Sequence, residues 1–218
     1  MTKKSIPLGE HNAFVVIADI SGYTEFIKFS ALEMTHAQAA LSALMGAMWE
    51  AGENDLEPLK TEGDAILFAG ADKPEAIANG LHRILKAYYQ ARATLHTHNS
   101  CDCRACSSIP NLELKILGHY GMVLFHEFKG GRDITGLTVV VVHRMLKNSI
   151  EGTRYVALSE AACSLPLNLG ERVEMFEEYA DVGVLKIDVQ RFDPSPWNTE
   201  TKKSVGRIQS ALNCILGI

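Results

Sequence analysis

The chain has 218 residues, 47% of them hydrophobic and 22% charged, and a formal net charge of −5. Mean hydropathy is +0.02 and the sequence pI is about 5.9. These values fit one globular domain that buries its own core, exclude global disorder and fibrous structure, and argue against a dedicated nucleic-acid binder.

No apolar run reaches the length needed to cross a bilayer. The N-terminus carries Lys3 and Lys4 but no apolar stretch of the kind a secretory signal needs. The cysteines number five, an odd count, and three are bunched at Cys101, Cys103 and Cys106. Without a signal, a disulfide scaffold is not expected. The expectation is a cytoplasmic protein with neither a membrane nor a nucleic-acid partner.

Residues 13–20 are apolar and β-prone and read as a buried strand, with Ser21-Gly22-Tyr23-Thr24 as punctuation. A helical stretch follows, interrupted near Ser30, and from Met34 to Ala51 the apolar residues Ala40, Leu41, Leu44, Met45 and Met48 recur at helical spacing. Two strands, 56–62 and 65–69, are joined by Gly63-Asp64 as a tight turn. Pro74 opens a helix running to about Thr94, because a first helical turn tolerates proline. A polar loop carrying the cysteines spans 96–110.

Residues 112–120 and 122–128 are expected to form a hairpin turning at Gly121, followed by a Gly130-Gly131 loop. Residues 137–147 are ambiguous, since Val139 to Val142 favour strand and Arg144-Met145-Leu146-Lys147 favour helix. Strands are expected at 155–158 and 182–192, and a C-terminal helix at 205–216. The order βααββαββαββα predicts an α+β fold, a ferredoxin-like antiparallel sheet with covering helices rather than a doubly wound parallel one. Residues 1–12 are read as an N-terminal extension, 13–192 as the domain and 193–218 as a C-terminal extension.

Asp19 ends a buried strand and Asp64 sits in a turn, two places where a carboxylate emerges from a rigid sheet. Taken singly, Asp19 reads as a helix cap and Asp64 as a turn residue. Together, on neighbouring strands, they would repel each other unless a hard cation lay between them.

The surrounding residues change the balance. Phe14-Val-Val-Ile-Ala-Asp19-Ile-Ser-Gly-Tyr-Thr24 resembles the signature opening class III nucleotide cyclase domains, an apolar strand ending in Asp-Ile-x-Gly-Phe-Thr. Lys60-Thr61-Glu62-Gly63-Asp64-Ala65 resembles their second signature, Lys-Thr-Ile-Gly-Asp-Ala. Asp133-Ile-Thr-Gly-Leu-Thr-Val-Val-Val-Val-His-Arg144 is similar to a third, Asp-Ile-x-Gly-x-x-Val-Asn-x-x-x-Arg. This resemblance also decides 137–147 as a helix.

The resemblance implies a metal site at Asp19, Ile20 and Asp64 holding two Mg²⁺ or Mn²⁺ ions. One ion would lower the pKa of the ribose 3′-hydroxyl and the other would steady the triphosphate. The oxygen then attacks the α-phosphorus and pyrophosphate leaves. It further implies Ser21 and Gly22 near the phosphates, Lys60 and Asp133 reading the base, and Arg144 neutralising charge on the α-phosphate. Each site would lie between two subunits, so a symmetric homodimer with shared sites is implied. Val140 stands where the third signature has its ribose-orienting asparagine, and no lysine matches the late phosphate-binding one, Lys186 being out of register.

The function expected is a cyclase-like protein that binds a nucleoside triphosphate with a divalent metal and forms a 3′,5′-cyclic nucleotide. The alternatives are a catalytically impaired nucleotide-sensing module and a protein-interaction domain of the same fold. The cysteine loop stands outside the resemblance. Cys101, Cys103, Cys106 and His98 together offer a zinc ligand set. The loop lacks a glycine for a tight wrap, so plain thiols are the expectation, with zinc and a redox-active pair as alternatives. For His119 and His126 the expectation is packing or surface hydrogen bonding.

Overall fold

The structure, a computed structural model, describes residues 5–97, 101–199 and Gly206. Its elements are β1 (Gly9–Ser21), α1 (Tyr23–Phe29), α2 (Met34–Gly52), β2 (Glu57–Glu62), β3 (Ala65–Ala71), α3 (Pro74–Thr97), α4 (Arg104–Ser108), β4 (Glu113–Phe128), β5 (Gly131–Thr135), α5 (Leu137–Met145), β6 (Tyr155–Ser159), β7 (Arg172–Tyr179) and β8 (Gly183–Gln190). The C-terminal helix expected at 205–216 lies outside the described residues, apart from Gly206.

The strands form one sheet in the order β2-β3-β1-β4-β6-β8-β7, with β5 paired to β4 off that path. β1 is central and both of its faces are covered. Phe14, Val16, Ala18 and Ile20 meet a core built with α2 and α3, among them Leu44, Met48, Leu81, Leu85 and Tyr88. Ala13, Val15 and Ile17 point the other way, into a core with Val141, Val142 and Met145 of α5 and with Phe125 and Ile134. A strand buried on both faces reads as an unbroken apolar run, and 13–20 does.

Three expectations need correction. Residues 113–128 are one continuous strand, not a hairpin at Gly121, which pairs directly with Ala13 of β1. The glycine serves close approach instead. A Cβ there would lie 2.6 Å from Thr138 Oγ1, and that hydroxyl donates to the Met122 carbonyl at 2.8 Å, seating α5 on β4. The real hairpin is β4–β5, turning through Lys129 and Gly130, both in the left-handed region (φ 49° and 79°) that two-residue turns of matching twist require.

The sheet is also not wholly antiparallel, since β4 and β6 run parallel. Parallel neighbours need a long crossover, and β5 with α5 provides it. Lastly, β5 and β7 appear where no strand was expected, and the stretch 96–110 expected to be loop holds the end of α3 and the short helix α4, whose Ala105 is buried in the core. β7, Arg-Val-Glu-Met-Phe-Glu-Glu-Tyr, is mostly exposed and charged, and gives no apolar signal.

A buried polar knot ties α3 to the start of β4. Arg92 Nη1 lies 2.8 Å from Glu113 Oε1 and donates to the Leu112 carbonyl at 2.8 Å. The Tyr89 hydroxyl donates to Glu113 Oε2 at 2.9 Å. This knot fixes the segment just after the cysteine loop.

Candidate active site

The α5 face of the sheet ends at Asp19. Its neighbours across the strands are Ala65 on β3 and Lys115 on β4. Asp64 follows Gly63 (φ 67°) in the β2–β3 turn, and its carbonyl accepts the Ile20 N–H at 3.2 Å. That backbone bond pins the turn to the end of β1 and brings the two carboxylates to one place. Partial burial, and next the charge of Asp19, raise the Asp64 carboxyl from 3.8 to about 6. The Lys115 ammonium sits 3.0 Å from Asp19 Oδ2 and neutralises part of the pair.

Two carboxylates with mutual repulsion are a donor set that fits a hard dication such as Mg²⁺ or Mn²⁺. Lys115 is the group that competes with such an ion for Asp19. Beside the pair, Gly22 is in the left-handed region (φ 89°) at the start of α1, and a Cβ there would lie 3.0 Å from the Asn111 carbonyl oxygen. Conformation and space both call for glycine after Ser21.

Along the same face, Lys60 Nζ lies 3.0 Å from Asp133 Oδ1 and 3.1 Å from Oδ2. Burial would raise the Asp133 carboxyl, but the Ile134 amide and the Lys60 ammonium outweigh it and hold it below the usual carboxylate range. Lys60 is also 3.6 Å from Glu62, whose other oxygen is 2.7 Å from His143 Nε2. His143 Nδ1 in turn faces the Val139 carbonyl at 2.7 Å, so the ring bridges α5 and β2.

The remaining residue of the third signature is turned elsewhere. Arg144 donates through Nε and Nη2 to both oxygens of Asp181, in the β7–β8 turn, at 2.6–3.0 Å. Val140 is exposed on α5 and offers no polar atom. Asp19 thus meets Asp64, and Lys60 meets Asp133, while Arg144 is engaged by Asp181. A cleft of about 850 Å³ lies apart from all of these, between the end of α2 and the β2–β3 hairpin, lined by Trp49, Glu53, Glu57 and Lys73.

The sequence reading missed Lys115, Glu62, His143 and Asp181. Glu62 carried a visible signal, because it replaces the isoleucine of the second signature. Lys115 and Asp181 carried none, since each matters only through strand register or a turn made far along the chain.

The cysteine loop also differs from expectation. His98 lies outside the described residues, and the imidazole beside the thiols is that of His36, at the start of α2. Its Nδ1 is 3.5 Å from Cys101 Sγ, 3.3 Å from Cys103 Sγ and 3.6 Å from Cys106 Sγ. Desolvation raises the Cys103 thiol, but hydrogen bonds from the Cys106 backbone and from the Cys106, His36 and Cys101 side chains bring it down to about 7. His119, half-buried, is 2.6 Å from Ser159 Oγ, a packing and hydrogen-bonding place as expected.

A family profile described as "Protein of unknown function (DUF2652)" matches residues 41–155, more than half of the chain. The chain belongs to this family. The DUF2652 match contains Lys60, Asp64, the three clustered cysteines, Asp133 and Arg144, whereas Asp19 and His36 precede it. Another relative is the uncharacterized protein Rv2561/Rv2562 of Mycobacterium tuberculosis (strain ATCC 25618 / H37Rv), 28% identical over 103 residues. The match takes in 46% of this chain and 49% of that protein, so the chain spans about half the length of the curated relative.

Solved structures give a wider likeness. The catalytic core of a rhodopsin-guanylyl cyclase with converted specificity, in complex with ATPαS, superposes with a TM-score of 0.64 at 17% identity, covering 86% of this chain and all (100%) of that one. The guanylyl cyclase Cya2 gives 0.63 at 14%, covering 86% and 96%. The guanylate cyclase domain of RhGC from Catenaria anguillulae, in complex with GTP, gives 0.59 at 15%, covering 84% and 99%. This DUF2652 chain therefore has the fold of class III adenylyl and guanylyl cyclase catalytic domains.

Proposed function

We propose that this chain binds a nucleoside triphosphate with Mg²⁺ or Mn²⁺ in a cleft shared by two copies, and cyclises it slowly. The observation that carries the reading is the meeting of Asp19 and Asp64 at the end of the α5 face, close enough that one raises the pKa of the other. A pair of carboxylates at a rigid strand end is a donor set that would suit a divalent metal and, with it, a triphosphate. When bound, the metal activates the ribose 3′-hydroxyl and neutralises phosphate charge.

The protein's own groups supply the rest. Asp19 and Asp64 fix the metal on a rigid strand end and turn, with Ile20 between them in the chain. Ser21 and Gly22 let the phosphates approach the backbone. Lys60 and Asp133, already paired, present a donor and an acceptor to the edge of a purine. Arg144 is the cation for the α-phosphate. Its bond to Asp181 is a solvent-exposed, water-screened ion pair, too weak to hold it against a triphosphate.

Val140 limits the rate. Valine cannot hold a ribose hydroxyl, and a misplaced attacking oxygen costs about a hundredfold. Nucleotide binding is therefore expected to be stronger than turnover, and a sensing role rests on the same residue. A second copy is supported by Phe29, Leu32 and Met34 at the α1–α2 corner and by Phe128 and Phe176 on the hairpins, all exposed.

Incubating the protein with each of the four triphosphates and Mn²⁺, with chromatography for the cyclic product and calorimetry for binding, tests the reading. Metal-dependent binding with slow product formation is the expected result. Absence of both binding and product overturns it and leaves an interaction domain.

A further inference from the structure

We infer that His36, Cys101, Cys103 and Cys106 form a closed tetrahedral zinc site that staples the start of α2 to the α4 segment. Their four ligand atoms all lie within 4.8 Å of one another. Zinc bonds of about 2.3 Å to sulfur and about 2.0 Å to nitrogen, set tetrahedrally, place nitrogen about 3.5 Å and sulfurs about 3.8 Å from a neighbouring sulfur. The nitrogen-to-sulfur spacings here, 3.3–3.6 Å, are those of such a tetrahedron.

Hydrogen bonding alone does not account for them. A single imidazole nitrogen has one lone pair or one hydrogen, so it directs itself at one thiol and not at three. A cation at the centre gives all three sulfurs and the nitrogen a common partner.

The ligands come from two places far apart in the chain, 65 to 70 residues. Cys103 precedes α4, Cys106 lies inside it, and α4 is only five residues long with no side-chain cap. A helix that short does not hold itself. Ala105 and Ile109 anchor it to the core, and the metal would supply the remaining tie. With four protein ligands the coordination shell is full, which marks a structural site and not a hydrolytic one. Thiolates are soft and select zinc over Mg²⁺ or Mn²⁺, so this centre is chemically separate from the oxygen donors of Asp19 and Asp64. Its position has a consequence for them, because α4 packs on α1 and the Asn111 carbonyl abuts Gly22.

The test is elemental analysis of the full chain after purification and desalting, together with the absorption spectrum after exchange into Co²⁺. About one zinc per chain is expected, with intense tetrahedral cobalt bands and thiolate-to-cobalt charge transfer. H36A and C103S should lose the metal, while H98A and C163S, the latter an exposed cysteine elsewhere, should keep it. Should H36A and C103S fail to fold, the wild-type measurements decide. No zinc, a weak octahedral cobalt spectrum, or zinc lost in H98A and kept in H36A overturns the assignment. Nothing in this test involves nucleotide, so it fails or succeeds apart from the proposed function.

Discussion

Asp64 is held in a position that suits a metal and disfavours the bare protein. Its carboxyl is raised to about 6 by burial and by Asp19. A carboxyl raised in the folded state contributes stability below its ordinary value of 3.8, and that contribution is lost as pH rises through about 6. Without metal, the protein should therefore melt at a lower temperature at pH 8 than at pH 5 as far as this group is concerned, and Mn²⁺ should reverse the loss at pH 8. The variant D64N should melt higher than the wild type at pH 8 without metal, and should gain nothing from Mn²⁺. Thermal melts at the two pH values, with and without Mn²⁺, read both effects. Lower stability in D64N at pH 8 would instead make the aspartate a structural residue.

Among the elements, α3 and β4 are tied by the Arg92–Glu113–Tyr89 knot. Arg92 is almost fully buried, so its removal leaves the Glu113 carboxylate with its main counter-charge gone. Truncating one partner of a buried pair costs about 3–5 kcal/mol, and R92A should show that loss in urea unfolding. A loss within the error of the measurement would mean that Arg154, 3.9 Å from Glu113, takes over. The legibility of the elements follows the same physics. β1, β3, α2 and α3 were readable because their apolar residues repeat at the spacing of a covered face, whereas α5 was decided by the motif resemblance and the short α4 fell in a stretch expected to be loop. β7 was not, because an edge strand with three glutamates is shaped by pairing with β8 and not by burial. Gly121 misled because a glycine that admits Thr138 has the same letter as one that turns a chain. The site was half readable. Asp19, Asp64, Lys60 and Asp133 sit in local motifs, whereas His36 and Lys115 come from elements whose alignment no local pattern encodes.

For the whole molecule, the account requires two copies. Each chain carries an aspartate pair and a Lys60–Asp133 pair, and the proposal assigns each cleft one of each from different chains. Mixing D19A with K60A should then restore what neither variant has alone. With random exchange, half of the dimers are mixed and each mixed dimer has one intact cleft, so metal-dependent nucleotide binding should return to about a quarter of the wild-type level. A mixture that binds no better than its parents would place both pairs in the same cleft of a single chain. The zinc centre adds a second layer at this scale, since it ties the α1–α2 corner to the segment that touches Gly22.

The most direct test is a crystal grown with a nucleoside triphosphate and Mn²⁺, with anomalous diffraction collected at the manganese edge. The account predicts an anomalous peak bonded by carboxylate oxygens of both Asp19 and Asp64, beneath the triphosphate, with the Lys115 ammonium displaced from Asp19. Nucleotide bound with manganese elsewhere, or Asp19 still paired to Lys115 and no peak beside Asp64, would contradict it.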